Sequence, residues 1–301
     1  MAAHDQLELE RQTATRKDLH AMDASPKTIL AHVQNDDTLD SRLESALSLA
    51  RCYDAHLECL HITPGQSYIA YDGLGGVFVM AEVINALEEQ AATLRAQVEA
   101  KLGKEDISWD FTQVTGEIAS TLISRAALAD LIVTGREPEQ IEFAGPTIAL
   151  LGDLISKSRT PIFIAVKGKS PCDPSGPAVI AWDGSYEAAD VVRSSIGMLK
   201  RASDVHVVQV TEAMEELFPS TRLLEYLSRH GIHAELTIEA VEELRDEREF
   251  VPDILVARAL SLNAAYIVMG GYNHSRIGEY IFGGVTRTML SASPVPIVIA
   301  R

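Results

Sequence analysis

Two glycine pairs near the end of the chain, Gly270-Gly271 and Gly283-Gly284, bracket a polar segment carrying Asn273, His274, Ser275 and Arg276. An apolar run at 266–269 precedes the first pair, and a helical pattern opens at the second. A strand, a glycine-bearing loop and a helix start in this order make an anion site. Glycine lets backbone approach a ligand closely, and the first N–H groups of a helix point outward without intrahelical partners. An anion there would meet the backbone N–H groups of Gly284, Val285 and Thr286, the Thr286 hydroxyl, and the side chain of Arg276 or Arg287. The helix dipole contributes ~0.3–1 kcal/mol at such a place, and charge-assisted hydrogen bonds add to it. A second candidate is Asp183, a carboxylate at the end of the apolar run 178–182. Each has a plainer reading. The glycines could serve only a tight strand–helix turn, Asp183 a turn or helix cap shared with Ser185, and His274 and Arg276 a solvated loop.

The elements that must position these residues alternate along the chain. Apolar runs at 28–33, 56–62, 107–114, 131–134 and 161–166 read as strands. Helical spacing recurs at 40–53, where Leu43, Ala46, Leu47 and Ala50 share a face, and again at 81–102 and 117–129. The Gly- and Tyr-rich stretch 64–79 reads as a surface loop. Residues 167–177 combine three prolines with two glycines and two serines, the composition of a linker. Beyond it the alternation restarts, with strands at 178–182, 205–210, 233–238, 265–269 and 297–300. Helices are expected at 186–200, 220–229, 252–262 and 284–292. The expected fold class is α/β, with two similar domains. Each is a five-stranded, mostly parallel sheet with helices on both faces, Rossmann-like. The divisions are an N-terminal extension at 1–26, a first domain at 27–168, a linker at 169–177 and a second domain at 178–301.

Composition narrows the function classes. A chain of 301 residues with 47% hydrophobic residues has the material for about two domains. A net charge of −17 argues against nucleic acid or an anionic membrane surface as a partner. Three cysteines fit a reducing compartment and not a disulfide scaffold. No apolar run reaches the roughly 18 residues of a membrane span. Residues 1–24 lack the apolar stretch of a secretory signal. The expectation is a cytoplasmic protein. Cys59 and His61 share a strand face, but no metal-ligand spacing accompanies them, so no metal site is expected.

The two halves repeat. Gly135 to Pro161 spans 26 positions, as does Gly270 to Pro296, so an offset of 135 aligns DLIVTG (130–135) with AYIVMG (265–270) and PIFIA (161–165) with PIVIA (296–300). In that register Asn273 faces Pro138, His274 faces Glu139, Arg276 faces Ile141, Gly283 faces Ile148 and Gly284 faces Ala149. The front copy therefore reads as a disabled version of the loop. Aligning residues 29–33 with 179–183 puts Val33 opposite Asp183.

The motifs VIAWDGS (179–185), IVMGGYNHSRIGEYIFGGVTRTML (267–290) and VPIVIA (295–300) resemble the universal stress protein family in a tandem two-domain form. ATP-binding members of that family carry G-x2-G-x9-G-[ST]. Here the register reads Gly270, Asn273, Gly283, Gly284, with Asn in place of the second glycine and Gly284 in place of Ser or Thr. The resemblance implies ATP or a related adenine nucleotide, alone or with Mg2+, as ligand of the second domain. Asp183 would contact the adenosine portion, and Val210 would offer backbone groups to adenine. Gly270, Asn273, Gly283 and Gly284 would approach ribose and phosphates. It further implies that the last strands of the two domains pair as an internal pseudo-dimer, with a homodimer as a further option. No nucleophile–base pair stands out, so a regulatory role without catalysis is expected. The alternatives are a nucleotide-free dimerisation or interaction module and a weak ATPase.

Overall fold

The computed structural model describes residues 25–64, 69–71, 77–79, 81–136, 147–168, 172–211, 218–240, 251–271 and 284–301. The front half contains strands β1 (Thr28–Val33), β2 (His56–Pro64), β5 (Trp109–Gly116), β6 (Leu131–Gly135) and β7 (Ile162–Ala165). Its helices are α1 (Leu39–Tyr53), α2 (Ala81–Leu102), α3 (Ile118–Arg125) and α4 (Thr147–Lys157). The back half contains β8 (Ala178–Trp182), β9 (Val205–Thr211), β10 (Ala234–Ala240), β11 (Tyr266–Gly270) and β12 (Ile297–Ala300). Its helices are α5 (Tyr186–Ser194), α6 (Ile196–Leu199), α7 (Ser220–Arg229), α8 (Val251–Ser261) and α9 (Gly284–Ala292).

One ten-stranded sheet runs through both halves in the order β10-β9-β8-β11-β12-β7-β6-β1-β2-β5. Within each half the order is that of a doubly wound parallel sheet, with the first strand central. The halves join edge to edge. β12 pairs with β7 antiparallel, Val298 opposite Phe163, so the last strands meet across a pseudo-two-fold axis. The C-terminal strand ends of the two halves consequently point in opposite directions, and each half keeps its own crevice.

Two apolar layers sandwich the sheet. On one face α1, α2, α5 and α7 bury Leu43, Leu47, Leu94, Val191 and Leu227 against Ile29, Ala31, Ile180 and Val268. On the other, α3, α4, α8 and α9 bury Leu122, Leu154, Leu255 and Met289 against Leu30, Leu60, Val208 and Ile267. Strands covered on both faces are continuous apolar runs, which explains why the inner strands read so clearly.

The expected elements correspond to the observed ones with three differences. The stretch 64–79 is not only loop: Ile69–Tyr71 pairs antiparallel with Val77–Val79, as strands β3 and β4. The helix expected at 186–200 divides at Ser195, whose φ of −100° and ψ of 5° break the helical geometry. The third difference is one of register. Ile29 lies beside Leu131, and Ala178 beside Tyr266. The offset of 135 converts Leu131 into Tyr266, so Ile29 is equivalent to Ala178, not to Val179. The residue equivalent to Asp183 is therefore Gln34 and not Val33. Side chains alternate across a strand, so a slip of one residue moves each of them to the opposite face. Ile29, Ala31, Ala178 and Ile180 all belong to the α1/α5 layer, which only the corrected register allows.

Candidate functional site

The back-half site is built on three adjacent strand ends. Trp182 pairs with Gln209, and Met269 with Ala181. Asp183 and Val210 therefore sit side by side just past this register, and Gly270, level with Trp182, ends β11 one residue short of them at the same C-terminal edge. This edge is where open parallel sheets take ligands.

Asp183 is exposed and forms a turn: its Oδ1 accepts a hydrogen bond from the Ser185 N–H at 3.0 Å. Gly184, between them, has φ of 72°, a left-handed conformation that glycine adopts without a steric penalty. Ser185 is then the N-cap of α5, its Oγ accepting from the Ala188 N–H at 3.1 Å. The Phe218 N–H donates to the Gly184 carbonyl at 3.1 Å and ties the turn to the segment entering α7. The plainer reading of Asp183 is thus realised, with the capping itself done by Ser185. The turn also orients the carboxylate at the crevice edge.

Gly270 has a packing role. A Cβ there would lie 2.5 Å from the Ala188 nitrogen and 2.8 Å from the Glu187 carbonyl carbon, so its lack of a side chain lets the first turn of α5 press onto the end of β11. Gly271 does the same toward the front half, where a Cβ would be 2.6 Å from Ile155 Cγ2. Gly284 differs: it is exposed, and among the described residues nothing lies within 4 Å of where its Cβ would be. It begins α9, whose first N–H groups have no intrahelical acceptor. Val285 and Val210 flank the same apolar cluster, together with Ala181, while Thr286 is buried. The structure thus brings Asp183, Val210 and Gly270 to one sheet edge, while Val285 packs against the apolar layer that covers that face of both halves. Asn273, His274, Arg276 and Gly283 lie outside the described residues.

The front-half equivalent is filled differently. A Cβ on Gly135 would lie 2.6 Å from Thr38 Oγ1 and 3.0 Å from Arg42 Nη1. Side chains occupy the place that the α5 backbone takes at Gly270. The Arg42 guanidinium, 2% exposed, is held by Asp36 Oδ2 at 3.1 Å, Thr38 Oγ1 at 3.1 Å and the Gln34 carbonyl at 2.9 Å. His61 Nδ1 donates to the Val33 carbonyl at 2.9 Å. Cys59 is fully buried, and burial, with Asp110 and Glu58 nearby, pushes its thiol up to about 12. Among the described residues no group of three His, Cys, Asp or Glu side chains is placed to hold a metal ion. No described helix is long and apolar enough to cross a membrane. Sequence reasoning missed Gln34 and His32 as crevice residues, although the equal spacing of Gly135 and Gly270 could have led to them once strand pairing was known.

Residues 176–301 match the model of the universal stress protein family. No curated protein matches the chain. Among solved structures, a universal stress protein from Archaeoglobus fulgidus DSM 4304 is 16% identical, with a TM-score of 0.69 over 91% of this chain and 98% of that one. A functionally unknown protein from Pseudomonas aeruginosa PAO1 is also 16% identical, with a TM-score of 0.56 over 92% of this chain and 93% of that one. At this identity the likeness establishes the fold, and it does so across both halves.

Proposed function

We propose that this chain, a universal stress protein domain in residues 176–301 joined to a front half of the same fold, binds ATP or a related adenine nucleotide in its back half as a regulatory ligand. The observation that carries this reading is the gathering of Asp183, Val210 and Gly270 at the C-terminal edge of three adjacent strands. They line one edge, and Gly284 is exposed at the start of α9. In this reading Asp183 faces the sugar and Val210 offers its backbone to the base. The N–H groups of Gly284, Val285 and Thr286 meet phosphate oxygens, which the helix dipole favours. The glycine-loop residues Asn273, His274, Arg276 and Gly283 complete the phosphate contacts. Three free cysteines fit a cytoplasmic setting.

The test is isothermal titration of the full chain with ATP, with and without Mg2+. The expected result is one nucleotide per chain, lost in Gly283→Val and retained with substitutions at Ile148. No heat at millimolar ATP would leave the nucleotide-free interaction module as the better reading. Phosphate release measured in parallel separates a regulatory ligand from a substrate.

A further inference from the structure

The front half has no glycine pair, yet its strand ends hold a second group of polar side chains. His32 is 2% exposed, and among the described residues neither ring nitrogen has a hydrogen-bond partner. Thr63 Oγ1, Gln34 Oε1 and the Nε and Nη2 atoms of Arg136 are likewise buried without partners. These four residues come from the C-terminal ends of β1, β2 and β6, the crevice edge of the front sheet; alternation puts His32, Gln34 and Arg136 on the face of Leu30 and Ile132, and Thr63 on the face of Leu57 and Cys59. Strand pairing makes His32 equivalent to Ala181, Gln34 to Asp183, Ile62 to Val210 and Arg136 to Gly271. The cluster thus occupies the same part of the fold as the back-half site, with different chemistry. An amide replaces the carboxylate, an imidazole replaces a methyl group, and a guanidinium replaces a glycine.

A buried polar group without a partner leaves its desolvation uncompensated, and a charged one more so. Four such residues at one edge call for something that satisfies them. Water can serve the neutral groups. The guanidinium calls for negative charge: no carboxylate pairs with Arg136 among the described residues, and burial lowers its pKa to about 10. Arg42 nearby is a contrast, since Asp36 neutralises it. His32 is neutral, held down to about 3 by burial and then by Arg42 and His61, so one ring nitrogen donates and the other accepts.

We infer that the front half binds a small oxyanion, a carboxylate or a phosphate, whose charged oxygens face Arg136 and whose hydroxyl groups meet His32 and Gln34. A nucleotide does not fit this chemistry. The position of Asp183 carries an amide, and the glycine pair is Ile148-Ala149.

The test titrates the 301-residue chain with inorganic phosphate and, separately, with L-malate, each to about 10 mM, by calorimetry and thermal melting. Heat and a raised Tm with phosphate alone point to a phosphorylated ligand, with malate alone to a carboxylate, and with both to a general oxyanion site. All three outcomes support the inference. Arg136→Gln should then weaken binding by about tenfold or more, while Arg136→Lys retains most of it. The 15N resonances of the His32 ring should shift on saturation of the wild type. Binding should be unchanged in Gly283→Val, which disables the proposed back-half loop and so separates the two sites. The inference is overturned if neither probe binds, if binding survives Arg136→Gln, or if Gly283→Val abolishes it.

Discussion

Gly270→Ala tests the geometry of the back-half site directly. The added methyl would stand 2.5 Å from the Ala188 nitrogen, 2.8 Å from the Glu187 carbonyl carbon and 3.0 Å from Glu187 Cβ. Ordinary contact needs roughly 3.5–4.0 Å, so α5 must retreat by about 1 Å. Its first turn cannot do so freely. Ser185 caps it at Ala188, Asp183 holds Ser185, and Phe218 holds Gly184. Two of the three closest atoms are backbone, which leaves no flexible side chain to give way. Overpacking of this kind costs ~1–3 kcal/mol. At ~2–4 °C per kcal/mol for a unit of this size, the Tm should fall by about 2–12 °C. Nucleotide affinity should fall with it, because the strained turn is the one that aims Asp183.

Gly284→Ala is the matched control. Among the described residues nothing lies within 4 Å of its Cβ position, and it is the first residue of α9. Replacing a helical glycine there should leave the fold unchanged or stabilise it by up to ~1 kcal/mol. The assay is calorimetric or urea unfolding of both variants beside the wild type, followed by ATP titration. A Gly270→Ala protein as stable as the wild type would refute the packing argument. So would a Gly284→Ala protein destabilised by more than ~1 kcal/mol, since that glycine would then be doing something the open space around it does not suggest.

Three further outcomes follow from buried groups. His32 has its pKa lowered to about 3, so below pH 6.5 the unfolded chain takes up a proton that the folded chain does not; stability should drop by ~1.4 kcal/mol per pH unit between 6.5 and about 3. Urea midpoints at pH 7, 6 and 5 should show this slope, and His32→Leu should reduce it by nearly one proton. Tyr53 and Tyr266 are fully buried with unpartnered hydroxyls, and burial is the main cause that raises both phenols above their ordinary range. Stability should therefore fall as pH rises above about 10, and Tyr266→Phe should cost under ~1 kcal/mol at pH 7 in chemical denaturation. Phe163 is 0% exposed at the seam between the halves, opposite Val298, so Phe163→Ala should cost ~3–5 kcal/mol and lower the melting transition of both halves.

How much of this was legible in the sequence depended on which interaction left a local trace. Strands covered on both faces appear as apolar runs, so β1, β8 and β12 could be bounded to the residue. The offset of 135 was legible too, because Leu131–Gly135 and Tyr266–Gly270 make equivalent contacts in each half and kept the same spacing to the closing strand. Positions fixed by contacts distant in sequence were not legible. The pairing of Val298 with Phe163 joins residues 135 apart and came only from the family resemblance.

The slip at the first strand shows the limit most clearly. Matching Ala31 to Ala181 preserved one identity and looked sound, but that identity carries no information about which face the residue occupies. Pairing does: Ile29 lies beside Leu131, Ala178 lies beside Tyr266, and only one register keeps both on the α1/α5 face. The correction changes the chemistry assigned to the front half. With Val33 at the position of Asp183, that crevice would have lost its polar end and would read as inert. With Gln34 there, His32 turned toward the other layer and Arg136 two residues past Thr134, the same edge holds donors and acceptors without partners. The front half lost a glycine loop and kept a polar crevice, so its divergence is better described as a change of ligand than as the loss of one.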